Sequence, residues 1–547
     1  MAGSNQQLKN NKNLIIIPGI MISFLLYTII MSVFFVLRKI SHLEENNQKW
    51  IDILLHDKYL HHVVFFSFWQ AILSAFLSII LAIMLAQALH RRKFLGRQLL
   101  LQIFSINLVI PILVIIIGIV SIYGHNGWLA KICTYFHISY NFSLYGIKGI
   151  LITHIFLNLP LATRLFLQNL ENISEKYCQL SSQLNIYGWN RFQLIEWPFL
   201  RNQIIPIFTL IFILCFSTFT IALILGGGPK STTIEVLIYE SLNFNFNPSY
   251  AALLSCIQFF ICLIFLLINE RFKNLQIITS IKYASNFSNY TQDSFVLKLV
   301  DMIIIMIAMF FFLPPLFTIV YYGIQENIIS ILKNHNFLNA VYSSIKISLT
   351  SSIFALIFSI MLLWTIRELN VYFSKVKAQI LRISGILILT IPSNVLSITF
   401  FLLFHNFFDN TKYLINNLFI FNNTLLVMPY IIKILEHPMF IFNKKYNNLC
   451  QSLNISGINR FIFVEFRFLK EKIAYALAFS CILSIGDFGI LGLFKNDNIC
   501  TLPIYLYEQM NNYNYKDANV ISFFILFFCL LLFYFIENIL FKNVKIN

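Results

Sequence analysis

Long unbroken apolar runs separated by short polar stretches set the pattern of this chain, and neither the helical period of 3.6 nor the strand period of 2 organises them. Runs of roughly 20 apolar residues are what a helix needs to cross a hydrocarbon core of ~30 Å, because lipid gives the backbone no hydrogen-bond partner outside its own helix. The predicted spans are 14–37, 61–89, 99–123, 147–163, 204–225 and 248–269, then 300–323, 339–365, 382–404, 418–434, 473–493 and 517–541. The expected fold class is an all-α polytopic membrane protein of about twelve transmembrane helices. An even number of spans leaves both ends of the chain on one side.

The polar stretches say which side. Lys and Arg concentrate in alternate loops: Lys9 and Lys12; Arg91, Arg92, Lys93 and Arg97; Arg191 and Arg201; Arg271, Lys273 and Lys282. The alternation continues through Arg367, Lys375, Lys377 and Arg382, then Lys444, Lys445, Arg460, Arg467, Lys470 and Lys472, and ends with Lys542 and Lys545. The positive-inside rule places these loops and both termini in the cytoplasm, with Arg38, Lys39 and Lys49 as exceptions in the first outer loop. The formal charge of +16, which in a soluble protein suggests nucleic acid, is explained by this placement, so no nucleic-acid partner is expected. Only 11% of the residues are charged, against ~25% in soluble domains, and 58% are hydrophobic, so the bilayer itself is the main environment. The 9 cysteines form no CxxC pair and read as reduced apolar fillers; no metal or cofactor is expected. The first apolar run is nearly a full span and lacks a small-residue cleavage site, so it is expected to be a retained helix.

A polar stretch near the midpoint, 276–295, reads as a cytoplasmic linker between two halves, 1–275 and 296–547. The halves are related. Leu180 to Leu200 aligns without gaps to Leu449 to Leu469, a displacement of 269 positions that pairs Asn185 with Asn454, Gly188 with Gly457, Asn190 with Asn459, Arg191 with Arg460, Phe192 with Phe461 and Glu196 with Glu465. Ile110-Pro111 echoes Ile391-Pro392, and Tyr239-Glu240 echoes Tyr507-Glu508. A six-span unit is duplicated in parallel, as in many pores built between two halves.

The duplicated segments lie in two long cytoplasmic loops, 165–203 and 435–472. In the first, Ile173, Tyr177, Leu180, Ser181 and Leu184 recur at helical spacing, followed by a turn from Asn185 to Gly188 and a second helical run to Trp197. This predicts a helix-turn-helix that a soluble partner can grip. Both loops resemble the cytoplasmic loop of binding-protein-dependent ABC importers, whose pattern is Glu-Ala-Ala, three residues, Gly, and an Ile-x-Leu-Pro close. Gln179, Leu180 and Ser181 take the Glu-Ala-Ala places, Asn185 the Gly place, and Ile195, Trp197 and Pro198 the close. The second copy offers Asn448, Leu449 and Cys450, then Asn454, then Val464, Phe466 and Arg467. Neither copy keeps the acidic residue or the Gly, and Asn is the best substitute for Gly in a left-handed turn. The resemblance implies two six-helix halves of the type I importer permease fold. It also implies that Gln179, Ser181, Ser182, Asn185, Gly188, Arg191, Glu196, Asn454, Gly457, Arg460 and Glu465 couple the pore to an ATPase.

Within that class the stretches His61 to Ala71, Gly226 to Glu235, Leu483 to Gly489 and Thr501 to Tyr507 are similar to those of fused bacterial thiamine permeases. That likeness covers almost the whole chain. It implies a substrate, thiamine and often its phosphate esters, handed over by a periplasmic binding protein and moved across the inner membrane by two copies of a separate ATP-binding subunit. The chain itself is then no enzyme: Gly226 to Thr232 fails the phosphate-loop pattern because Pro229 precedes the lysine. Asp487, between Gly486 and Gly489 in the eleventh span, is the ionisable group to examine at membrane depth. It could favour the thiazolium cation in the pathway, or serve gating or packing. His154, Asn158 and Pro160 suggest a kinked, internally hydrogen-bonded fourth span. A fused ferric-ion permease is the alternative within the class. A secondary transporter would need intramembrane charge relays, which are sparse, and a membrane enzyme would need a cluster of acids or histidines in an outer loop.

Overall fold

A computed structural model describes residues 17–31, 33, 56–92, 94, 96–107, 110–171, 173, 175–186, 188–245, 247–272, 295–326, 328–372, 375–388, 391, 393–404, 411–453, 455, 457–486 and 500–541. Among them every regular element is helical. In the first sequence half these are α1 (Ile17–Met31), α2 (Lys58–Arg91), α3 (Arg97–Asn107), α4 (Ile112–Tyr123), α5 (Trp128–Tyr135), α6 (Ile147–Glu171), α7 (Glu175–Gln183), α8 (Gly188–Arg191), α9 (Trp197–Phe216), α10 (Thr220–Leu225), α11 (Ile234–Asn243) and α12 (Pro248–Phe272). The second half contributes α13 (Phe295–Gln325), α14 (Ile328–Leu332), α15 (His335–Tyr372), α16 (Lys375–Leu387), α17 (Ser393–Phe404), α18 (Thr411–Ser452), α19 (Gly457–Arg460), α20 (Phe466–Gly486), α21 (Leu502–Asn511) and α22 (Tyr515–Phe541).

Nine helices among the described residues are long and apolar enough to cross a membrane, and α1 is a shorter apolar helix. The predicted third span is divided. Pro111 has no N–H to give and its ring pushes the preceding residue out of the helical region, so α3 stops at Asn107 and α4 starts at Ile112. Within the predicted ninth span the described residues form two helices, α16 and α17. Most of the predicted linker lies outside the described residues.

The packing sorts the chain into two compact units. One comprises 49–237 and 260–322, called the first unit below; the other comprises 1–48, 238–259 and 323–547 and is called the second. In the first unit, Asp57 caps α2 by accepting the N–H groups of Tyr59 (2.9 Å) and Leu60 (3.1 Å), and Arg91 complements the dipole at its other end. The buried face of α2 is a stripe of small residues, Ser67, Ala71, Ser74, Ala75, Ser78 and Ala82, against which α6 and α9 pack. Small side chains let helices approach closely where water supplies no hydrophobic drive, and dispersion and interhelical hydrogen bonds hold them. Phe104 and Phe156 pack against Phe312 with ring centroids 5.2 and 5.0 Å away, which anchors α13 in this unit. A Cβ on Gly118 would lie 2.8 Å from the Pro315 carbonyl oxygen, so α4 and α13 meet backbone to backbone.

The second unit repeats the scheme. α15 carries its own buried stripe, Ser344, Ser348, Ser351, Ser352, Ala355 and Ser359, and packs against α18 and α20. α1 joins this unit: a Cβ on Gly19 would fall 1.8 Å from Thr365 Oγ1, so only glycine fits there.

Two expectations change in detail. α6 runs through Pro160 without a break, and His154 on it bonds to other helices rather than within its own. The loop predicted from 435 is not separate from the tenth span, since α18 continues as one helix to Ser452.

Candidate functional site

The two duplicated loops build the same turn. α7 ends where the Leu184 N–H donates to the Leu180 carbonyl (3.0 Å) and the Ile186 N–H donates five residues back to the Ser181 carbonyl (2.9 Å). That second bond requires a left-handed residue between helix and strand-like exit, and Asn185 supplies it at φ 52°. In the second loop Leu453 donates to Leu449 (3.1 Å) and Ile455 to Cys450 (2.9 Å), the same pair of bonds displaced by 269 positions. Asn454, the counterpart of Asn185, lies outside the described residues. Gly188 opens α8 at φ 58°, a second left-handed position that glycine adopts without strain; Gly457 opens α19 in the same place.

After each short helix comes a π-helical turn, Phe192–Glu196 and Phe461–Glu465, closed by a backbone bond from Trp197 to Phe192 and from Phe466 to Phe461. Its consequence is chemical. Residues five apart on an α-helix diverge by about 140°, but the wider turn returns them to one face. Arg191 and Glu196 therefore meet, with Nε 3.9 Å from the carboxylate, and Arg460 Nε lies 2.7 Å from Glu465. All four are buried, Glu465 completely.

A buried carboxylate needs more than one partner, and each finds a second arginine on the long helix of its unit. In the first unit Arg91 at the end of α2 donates to Glu196 at 3.2 Å and stands 4.0 Å from Asp301, which Arg92 also contacts at 2.7 Å. In the second unit Arg367 near the end of α15 pairs with Glu465 and, at 2.6 Å, with Glu368. Arg460 also donates to Asn447 (3.0 Å) and Asn443 (3.1 Å) on α18. Each loop is thus bolted by an Arg–Glu–Arg cluster to a membrane-spanning helix.

The predicted site residues separate into two groups. Gln179 and Asn185 are exposed on the turn, beside the largely exposed side chains of Leu180 and Leu184; Leu449 and Leu453 stand equally exposed in the second copy. Ser181, Arg191, Glu196, Arg460 and Glu465 are buried and face inward. Ser182 lies within α7. The arrangement gives each loop an outer face that can be gripped and an inner face fixed to the bundle. Asp487 lies outside the described residues. Sequence reasoning took Arg91 and Arg367 for topology charges only and did not single out Asp301 or Glu368. The signal was there: a Glu repeated in both copies of a basic loop is a buried acid in search of cations.

Residues 76–274 match the family described as binding-protein-dependent transport system inner membrane component. The chain is 41% identical over 530 residues to the thiamine transport system permease protein ThiP of Escherichia coli (strain K12), covering 97% of each. To the protein of the same name in Haemophilus influenzae it is 38% identical over 489 residues, 88% of this chain and 89% of the relative. To that of Brucella abortus (strain 2308) it is 33% identical over 478 residues, 87% of each.

Proposed function

We propose a function from the premise that the chain belongs to the thiamine transport system permease family, the inner-membrane components of binding-protein-dependent transport: it is the pore through which an ATP-driven importer moves thiamine into the cell. Thiamine phosphate esters are included in the proposed substrate class. A periplasmic binding protein delivers the substrate at the outer face, and two copies of an ATP-binding subunit work at the inner face, one on each loop. Both termini are then cytoplasmic, and the sequence halves 1–275 and 296–547, joined at 276–295, are the two repeats that form the pore.

The observation that carries this reading is the duplicated turn with its duplicated buried pair, Arg191–Glu196 and Arg460–Glu465. The exposed face, Gln179, Leu180, Leu184 and Asn185 with their counterparts from Asn448 to Asn454, takes the push of the partner. The clusters at Glu196 and Glu465 pass it to α2 and α15. Closing of the ATP-bound partner dimer rotates the spans and alternates access between the two sides. Ser182 and Gly188 shape the turn, with Gly457 in the same role in the second loop. Asp487 is assigned to the pathway or its gate.

The test is reconstitution of the complete transporter in lipid vesicles. Uptake of labelled thiamine that needs ATP, the binding protein and the ATP-binding subunit together, and that unlabelled thiamine but not ferric ion suppresses, is the expected result. Equal uptake without ATP would overturn the reading.

A further inference from the structure

The fourth span holds a buried histidine that the coupling loops do not use. His154 on α6 lies between two other helices of the first unit, with Nδ1 3.0 Å from Ser74 Oγ on α2 and Nε2 2.9 Å from Thr218 Oγ1. Thr218 sits in an interruption of the fifth span, where α9 ends at Phe216 and α10 begins at Thr220. An interrupted helix within lipid must find new partners for its released backbone groups. Here they are side chains: Gln70 Nε2 and Thr218 Oγ1 both donate to the Cys215 carbonyl, at 3.1 and 2.9 Å.

The bonding fixes the tautomer. Thr218 spends its one hydroxyl hydrogen on Cys215, so it accepts from His154 Nε2–H; Nδ1 then accepts from the Ser74 hydroxyl. The ring is neutral and joins a donor on α2 to an acceptor at the break.

The second unit joins the equivalent helices by a related knot. Asn423 on α18 stands 269 positions after His154, the displacement of the repeat, and its Nδ2 donates to Ser484 Oγ at 3.0 Å, close to the end of α20 at Gly486. Ser351 on α15 bonds the same Ser484 hydroxyl at 2.8 Å, whereas Ser74 on α2 bonds the His154 ring itself. Two different side chains, an imidazole and an amide, thus each present a donor to a hydroxyl of the fifth span, Thr218 in the first repeat and Ser484, the counterpart of Cys215, in the second.

We propose that His154 and Asn423 are positioning residues for translocation: each pins the end of the fifth-span helix that leaves the coupling loop to the second and fourth spans of its unit. The pin makes those three helices turn as one body when the loop is pushed, and in the first unit it holds the interruption Ser217–Phe219 at its middle residue, so that bending is left to the chain outward of Thr218. The role in transport rests on the proposed importer function; the pinning does not.

The test uses the reconstituted transporter with its ATP-binding and binding-protein partners and four variants, His154→Leu, His154→Gln, Thr218→Val and Thr218→Ser. Gln places an amide nitrogen where Nε2 lies, and Ser keeps the hydroxyl. Two readouts are taken: thiamine moved per ATP hydrolysed, and amide hydrogen exchange of the segment 215–222. Loss of a buried hydrogen bond should lower the transport ratio about fivefold and raise exchange about tenfold for the Leu and Val variants, while Gln and Ser stay within about twofold of the parent. Should His154→Leu fail to accumulate, Thr218→Val, which keeps its shape, decides. Variants that all behave alike, or Leu and Val variants matching the parent, would overturn the pin. A parent that moves no thiamine yet shows the exchange pattern would refute the assigned substrate and leave the pin standing.

Discussion

The two duplicated loops share a sequence pattern, yet they are held with different tightness. In the second loop Glu465 has two arginines in direct contact, and Arg460 has two asparagines of α18 besides. In the first, Arg191 stands 3.9 Å from Glu196, and Arg91 divides itself between Glu196 and Asp301. Their attachments to the fourth span differ too: α18 runs unbroken into the second loop, whereas the first is entered by two helices, α6 ending at Glu171 and α7 starting at Glu175. Duplication has preserved the bolt and relaxed one of its seats. The second loop is built as a stiff extension of a span, and the first as a hinged one.

Substitutions that remove the bolts should show this asymmetry most strongly. Glu465→Gln leaves two buried arginines with one carboxylate between them and should destabilise by about 3–5 kcal/mol, read as thermal unfolding of the purified permease. Glu196→Gln, which gives up one charged hydrogen bond and a longer contact, should cost about 2 kcal/mol in the same assay. Equal losses would break the comparison.

The outer faces should behave alike, because Leu180 and Leu449 are equally exposed. Leu180→Asp or Leu449→Asp should each weaken retention of the ATP-binding subunit about tenfold, ~1.4 kcal/mol, without lowering the unfolding temperature of the permease. A loss confined to one loop would show that the partner grips them differently. Asn185→Ala forces a Cβ-bearing residue without a local hydrogen-bonding side chain into the left-handed region and should cost ~1 kcal/mol, while Asn185→Gly should be neutral or better. The smallest effect concerns Asp487, which has a neutral counterpart in the first repeat: Asp487→Asn with unchanged thiamine uptake and selectivity would remove any essential charge from that span.

Much of this architecture is legible in the sequence because lipid allows so few solutions. Apolar runs fix where helices lie, although the third span, read as one run over 99–123, is divided before Pro111. The repeat of Asn185, Gly188, Arg191 and Glu196 at 454, 457, 460 and 465 identifies the loop. What it does not reveal is direction. Arg191 and Glu196 read as coupling residues of a basic loop, and only the π-helical turn, which spacing alone does not announce, brings them together and inward. The partners are hidden for a second reason. Arg91 is 105 positions from Glu196, Asp301 is 209 from Arg92, and Ser74 is 80 from His154, and no local pattern links them. His154 reads as a lone polar residue closing on its own helix because a single sequence shows the neighbour along the chain and not the one across it.

The central claim is mechanical: each loop transmits work because its turn is rigid and its inner face is bolted to a span. Replacing residues 183–187 and 452–456 together by flexible Gly-Ser segments removes the turns and leaves the Arg–Glu clusters in place. In vesicles carrying the complete transporter, ATP-dependent thiamine uptake by this variant should fall to the level seen without ATP, while the variant remains folded in the membrane. Uptake at the rate of the unaltered protein would contradict the account.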